Sequence, residues 1–210
     1  MTGDDMTARS IRLVAIILVG LLGVFSLFGT SVRQVNLSQM VQYADRVFYG
    51  KCLSAEVKLD PDSGVMVQEY RFQVMESLKG VGEGDVVVVR QLSNLGRGGP
   101  AIPGMPSYRK GQELLLFLHG NSRLGLTSPV GMAQGTFRKL KLADGEVGFM
   151  NPQGNRNLSR DLGRQSPAAE VLTGEELQYL DSGEPVPLSM FREMVGKLDR
   201  FHHGHGGVDK

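Results

Sequence analysis

The sequence contains no tryptophan, a single cysteine and almost no net charge. Because the lone thiol of Cys52 cannot form an internal disulfide, the fold must rest on its hydrophobic core, and we expect Cys52 to be a small buried hydrophobe there. The 23 Lys and Arg residues nearly balance the 22 Asp and Glu residues, and the basic ones are scattered along the chain. This distribution excludes the basic surface that nucleic-acid binding requires, so we expect no nucleic-acid partner. The sequence also lacks a nucleophile elbow and a P-loop, and we expect no bound cofactor.

One long uncharged run stands near the N-terminus. Arg9 and Arg12 precede it, and residues 13–32 carry no charge over 20 positions. A positive start followed by an apolar stretch is typical of an export signal, with the rest of the chain on the outer side of the membrane. Small residues stand at the −3 and −1 positions for cleavage after Ser31, as in a signal peptide. A run of about 20 apolar residues can also span a bilayer. We therefore expect a periplasmic or secreted protein, or alternatively a single-pass protein with its C-terminus outside and only residues 13–32 in the membrane.

Residues 35–150 follow mainly the period of two that is typical of strands. Alternation from about residue 47 to residue 78 predicts a long hairpin that turns at Asp60–Gly64. The apolar runs Val86–Val89 and Leu114–Leu118 predict central strands buried on both faces. Shorter strands are expected near residues 124–130, 135–142 and 145–150. Strand after strand with turns between them predicts a mostly β fold, a small OB-like or netrin-like antiparallel barrel.

Helices are expected before and after the barrel in the sequence. Asn36 with Gln39 makes a capping box that predicts a short N-terminal helix, and Thr173 with Glu176 makes a second one near the C-terminus. An apolar stripe over residues 191–201 predicts a last helix that docks on the barrel. The chain then divides into five segments. They are a signal peptide or anchor (residues 1–31), a β-barrel domain (35–150), a flexible polar connector (151–169), the C-terminal helices (170–201) and a disordered tail rich in His and Gly (202–210).

A loop rich in Gly and Pro, residues 96–108, is the predicted binding surface, since loops on a rigid scaffold commonly bind partners. Backbone N–H groups at Gly98 and Gly99, together with Arg97, offer donors for an anion, and Tyr108 closes the loop. The leading hypothesis is a non-catalytic binding or interaction module, with no catalytic residue assigned. Its partner would be an unidentified protein or surface ligand.

The histidines suggest two alternatives. His202, His203 and His205 could chelate a metal, although a weak adventitious site is the expectation for a terminal Gly-rich segment. His119 follows an apolar strand and could act as a general base, which would make the protein a hydrolase or a metal-dependent enzyme. A third possibility is a membrane-anchored structural protein. It requires that residues 13–32 remain uncleaved.

Several short motifs between residues 37 and 140 resemble an exported bacterial family of small β domains with no established activity. They are Ala44-Asp45-x-Val47-Phe48-x-Gly50, Glu76-x-Leu78-Lys79-Gly80, Gly84-Asp85-x-Val87, Gly104-x-Pro106-x-Tyr108-x-x-Gly111-x-Glu113-x-Leu115-Leu116-Phe117-Leu118 and Gly131-Met132-x-Gln134-Gly135-x-Phe137. The first two are also similar to the netrin-like, OB-type domain of tissue inhibitors of metalloproteinases. That resemblance implies a fold and a compartment. The inhibitors' chelation of protease zinc through an N-terminal cysteine does not carry over, because the residue directly after the predicted cleavage site is Val32 and not a cysteine.

Overall fold

The structure is a computed structural model, and it describes residues 33–61, 63–94, 102–143, 145–162 and 166–205. The N-terminal segment predicted to be a signal peptide or an anchor lies outside these residues. Within the described ranges, no helix combines the length and the apolar character needed to cross a membrane.

In the described part of the chain, seven strands form one antiparallel sheet, and three helices accompany it. The strands are β1 (Arg46–Leu59), β2 (Met66–Lys79), β3 (Val86–Leu92), β4 (Glu113–Leu118), β5 (Thr136–Lys141), β6 (Val147–Met150) and β7 (Val186–Pro187). The helices are α1 (Leu37–Tyr43), α2 (Gly174–Ser182) and α3 (Leu188–His205), with short 3-10 turns at Met132–Gly135 and Pro167–Glu170. The prediction of a mostly β antiparallel fold with one N-terminal and two C-terminal helices is confirmed, and both predicted capping boxes are present.

The sheet is open and does not close into the predicted barrel. Its strand order is β3-β2-β1-β4-β5-β6-β7, so β3 and β7 are edge strands. The chain after β4 nevertheless reaches β3, where the Thr127 N–H donates to the Arg90 carbonyl at 2.7 Å. We call this junction between residues 126–128 and the end of β3 the seam. The strand predicted near residues 124–130 is reduced to an isolated bridge between Pro129 and Leu118. Since Pro129 has no N–H to donate, it limits the ladder that this segment can form.

Both faces of the sheet are covered by apolar side chains. On the face toward the helices, the rings of Phe117, Phe137 and Phe191 pack with centroids 5.1 to 6.2 Å apart. The second core, on the opposite face, is built by side chains from β1 to β4 and the loop before β4: Phe48, Cys52, Tyr70, Phe72, Val74, Val87, Val89, Tyr108, Leu114, Leu116 and Leu118. Cys52 is therefore buried as expected, and this burial raises the pKa of its thiol.

Strand β3 differs from its prediction. Val87 and Val89 are buried, whereas Val86 is 45% exposed, so the strand alternates and does not bury both faces. The β-branched run predicted a strand correctly, but strand propensity carries no information on whether the strand lies at the edge or the centre. The run Leu114–Leu118 is central as predicted, because β4 pairs with β1 on one side and β5 on the other.

Two of the motifs that carry the family resemblance meet in space. Gly80 ends β2 with a φ of 69°, and a Cβ atom there would overlap the carbonyl oxygen of Asp45. Only glycine fits this contact without displacing the start of β1. Beside it, the Lys79 Nζ donates to the carbonyl of Val41 and pairs with Asp199, both at 2.8 Å. The Leu-Lys-Gly motif therefore joins β2 to α1 and α3.

The segment predicted to be a flexible connector is packed where the structure describes it. Leu158 and Leu162 are buried in the helix-side core. Asn155 donates to the carbonyls of Phe149 and Glu184 at 3.0 and 2.9 Å, while the Asn151 amide donates to the Asn157 side chain at 2.9 Å. Flexibility of the segment stays a prediction, but its polar composition does not mean that it is solvated. These asparagines are buried, and they use their amides to bond the backbone.

Replacing Leu116 with Asp should unfold the domain. Leu116 is fully buried at the centre of the sheet, and a carboxylate there would have no partner to offset its loss of hydration. We expect a loss of about 4 kcal/mol or more in the free energy of unfolding, measured by urea denaturation. Leu59→Asp is the matched control, because Leu59 is 62% exposed on the same sheet and should change stability little. Equal midpoints for the two variants would contradict the assigned core.

Candidate functional site

A cleft of about 590 Å³ opens at the seam. It lies between the end of β3, which contributes residues 90–92, and the chain after β4, which contributes residues 119–122 and 126–128. Asp45, Ile102 and Met105 complete its walls. The volume falls within the range of about 300–1,000 Å³ that is usual for small-molecule sites, and the mouths of curled sheets are a common place for them.

The walls of the cleft combine apolar surface with a few polar groups. Leu92, Ile102, Met105 and Leu126 supply the apolar part. Charged side chains, an imidazole and hydroxyl-bearing side chains stand beside them: Asp45, Arg90, His119, Ser122, Thr127 and Ser128. Such a surface suits a ligand with an apolar body and a small number of polar atoms.

The side chain of Gln91 is the most unusual feature of the cleft wall. It is 3% exposed, and within the described chain neither its Nε2 nor its Oε1 has a hydrogen-bond partner. The hydroxyl of Ser93, which directly follows the strand, is also buried and has no partner among the described residues. Native proteins rarely leave such groups unpaired, since each buried orphan costs about 1–3 kcal/mol. The end of β3 therefore carries a cost that no hydrogen bond among the described residues offsets.

Arg46 holds the far wall of the cleft in place. Its Nη2 donates to the carbonyl of His119 at 3.1 Å and to the Asn121 side chain at 2.8 Å. The hydroxyl of Thr127 donates to the same Asn121 oxygen at 2.6 Å. Burial lowers the pKa of Arg46, and the neighbouring Asp45 partly offsets this effect. The guanidinium thus bridges the start of β1 to a loop more than 70 residues away.

Asp45 supports the same loop from the other side. Its Oδ2 accepts the Gly120 N–H at 2.5 Å, and its own N–H donates to the carbonyl of Leu118 at 2.9 Å. The short distance between the two chain segments is possible because residue 120 has no side chain. Asp45 and Arg46 therefore fix the position of the loop after β4 that forms this wall of the cleft.

Arg90 is positioned by Glu69, which is 4% exposed on the neighbouring strand. The Arg90 Nε donates to Glu69 at 3.0 Å, and the Lys58 Nζ donates to the other carboxylate oxygen at 2.6 Å. Burial alone would raise the pKa of Glu69, but the hydrogen bonds from Lys58 and Arg90 lower it overall. The carboxylate is therefore ionised at neutral pH and holds the end of β3 in register with β2.

The sequence-predicted binding loop is only partly described. Arg97, Gly98 and Gly99 lie outside the described residues. Tyr108 is 4% exposed, and its hydroxyl lies 3.1 Å from that of Thr136. Its ring packs edge-on against two aromatic residues of β2, Tyr70 and Phe72, in the second core. Burial raises the pKa of the Tyr108 phenol. A binding role for this loop stays a prediction, and Tyr108 itself lies in the core.

The histidines predicted as metal ligands belong to α3, which extends to residue 205, beyond the predicted start of a disordered tail. The His202 Nε2 lies 3.0 Å from the hydroxyl of Ser38, and burial lowers the pKa of this imidazole. The His203 Nδ1 is 2.9 Å from the Asp199 carbonyl. Neighbouring residues on a helix point apart, so His202 and His203 do not face a common point. In the described part of the chain, no three metal-ligating side chains come together.

His119 lies in the cleft wall with the Asp45 carboxylate and the hydroxyls of Ser122 and Ser128. Its backbone groups bond Ser128 and Arg46, but its ring makes no hydrogen bond to the described residues. A general base needs a neighbour that orients it, and the Asp45 Oδ2 is already bonded to Gly120. The hydrolase alternative stays a prediction.

Sequence reasoning singled out His119 and the loop that contains Ile102 and Met105, but it missed Gln91 and Arg46. Gln91 stands in an ordinary strand pattern, and its lack of a partner follows from burial by distant segments. Arg46 follows the Ala44-Asp45 motif and was not assigned a role. The available signal was an arginine directly before apolar strand residues, because a charge placed there needs polar partners.

No protein-family model, curated protein or solved structure matches this chain. The resemblance to exported netrin-like domains therefore stays a prediction.

Stability should fall in acid partly through Glu69. Its pKa is lowered in the folded state from an ordinary value of 4.5, so its contribution is present above that value and is lost as the pH falls through the folded pKa. Glu69→Gln should cost about 1–2 kcal/mol in the free energy of unfolding at pH 7, and its disadvantage should shrink between pH 5 and about pH 3. Urea denaturation across this range measures both effects. Glu83→Gln, at an exposed turn position, is the control. A disadvantage that is unchanged at low pH would contradict the ion-pair assignment.

Proposed function

We propose that the protein is an exported, non-catalytic binding module that takes its ligand in the seam cleft. The observation that carries the proposal is the combination of an apolar cleft with the buried, unpartnered amide of Gln91 in its wall. Unsatisfied polar groups are tolerated in native folds mainly where a function needs them. Binding would supply the missing partner, so the cost in the free domain favours the bound state.

The fixed walls of the cleft also support a binding role. Arg46 and Asp45 hold the loop after β4, and Glu69 holds Arg90 at the end of β3. A site whose walls are already ordered loses little conformational entropy when a ligand enters. This support comes from strands and their side chains, which makes it more rigid than a site built from loops alone.

The export part of the proposal rests on the apolar N-terminal run after Arg9 and Arg12. Cell fractionation, followed by intact mass and N-terminal sequencing, should find a soluble product that begins at Val32. A full-length product in the membrane fraction would show that residues 13–32 are an anchor, and the module would then act at the membrane surface. A full-length product in the cytoplasmic fraction would contradict export.

The cleft should bind a small apolar aromatic molecule in solution. Titration of the ¹⁵N-labelled full chain with acetophenone should shift the amide resonances of Leu92, Ser122 and Leu126, all in the cleft wall. Leu126→Trp should fill the cleft and weaken binding at least about tenfold, because the indole occupies the volume that the ligand needs. Leu124→Trp is the matched control, since Leu124 is 59% exposed and does not line the cleft. Equal affinities of the two variants, or shifts scattered over the surface, would contradict a site in the cleft.

A further inference from the structure

We infer that the ligand of the seam cleft is a neutral molecule with an apolar body and a carboxamide or lactam group, and that Gln91 is the residue that selects it. This inference rests on the proposed function. It starts from the two atoms of the Gln91 amide, one donor and one acceptor, which are both without a partner in the described chain.

The chemistry of the amide restricts the polar group of the ligand. The Nε2 can donate and the Oε1 can accept, and they stand side by side in one plane. A group that bonds both atoms with nearly linear geometry presents an acceptor and a donor on two atoms side by side, as a primary carboxamide or a lactam does, whereas a single hydroxyl oxygen would bend both bonds. A carboxylate has only acceptors and would repel the Oε1, and a ketone would leave the Oε1 unpaired. An ammonium group has only donors and would leave the Nε2 unpaired.

The charges near the cleft already have partners in the protein. The Arg90 Nε bonds to the buried Glu69 at 3.0 Å, and the Asp45 Oδ2 accepts the Gly120 N–H at 2.5 Å. Arg90 also lies 4.0 Å from Asp60, and Asp45 lies beside Arg46, so each charge already has an opposite charge within the protein. A charged ligand would also lose its hydration against Leu92, Met105 and Leu126, which is costly without a matching charge. The cleft therefore favours a neutral ligand.

The position of Gln91 on β3 separates this role from ordinary packing. Val87 and Val89 precede it on the same face of the strand, and both are buried in the second core. Continuing this apolar face with leucine or methionine at position 91 would have avoided the orphaned amide. The amide of a glutamine here makes no hydrogen bond to the described residues, so it costs stability relative to either of these side chains.

Binding of three matched probes to the full chain tests the inference. Benzamide carries the donor and acceptor pair, acetophenone replaces its NH₂ by a methyl group, and benzoate carries a negative charge. Benzamide should bind about tenfold more tightly than acetophenone, and benzoate should bind more weakly than benzamide. Gln91→Met should abolish the preference for benzamide over acetophenone and should raise the melting temperature of the ligand-free protein. Gln73→Met, at an exposed position on β2, should do neither.

The outcomes separate this inference from the proposed function. If acetophenone and benzamide bind the unmodified protein equally, the cleft is a binding site but the amide selectivity is wrong. Tighter binding of benzoate, or a benzamide preference that survives in Gln91→Met, would also overturn it. If none of the three binds, both the inference and the proposed cleft fail. The comparison of probes on the unmodified protein remains decisive even if Gln91→Met does not fold.

Discussion

The described domain depends on strand β1, which is paired along its length on one side with β2 and at its first residues on the other side with β4. These two ladders place apolar side chains alternately on opposite faces, so the sheet needs a cover on each. The helices cover one face, and the curl of β1 to β4 with the loop before β4 covers the other. Register shifts in the β1–β2 ladder mark bulges, which increase the local twist and help to bring β3 toward the chain after β4.

The seam results from this curl, and so does the incomplete hydrogen bonding along it. A continuous ladder between the chain after β4 and β3 would bond every group along the edge. Instead, the segment contains Pro129, and among the described residues the backbone hydrogen bond that joins it to β3 runs from the Thr127 N–H to the Arg90 carbonyl. The space left beside that bond is the cleft, Gln91 of β3 lies in its wall, and Ser93 follows directly after the strand. The domain thus keeps its least satisfied polar groups where its sheet fails to close, which is the kind of place where a fold accepts a local cost for a function.

How much of this could be predicted depends on how local the cause is. The long hairpin, the strand β4 and both capping boxes were predicted, because each is determined by periodicity or by residues three apart. The apolar runs predicted central positions for both β3 and β4, and only β4 is central, since propensity does not encode neighbours. The packed asparagine segment was also missed. Asn155 bonds a carbonyl 29 residues away, and no local pattern distinguishes such an amide from a solvated one.

The sequence by itself determined that the chain builds its fold without disulfides and that this fold is mostly antiparallel β with helices at both ends. These properties follow from composition and from short-range periodicity, which act within a single strand or turn. Only the tertiary structure decided that the sheet stays open, that Tyr108 lies in the core and that Gln91 is buried without a partner. These properties depend on contacts between β1, β3 and the loop after β4. One such contact joins Arg46 to Asn121, which are more than 70 residues apart in the sequence. The physical reason is that burial and hydrogen-bond satisfaction belong to the assembled sheet and not to any segment of it.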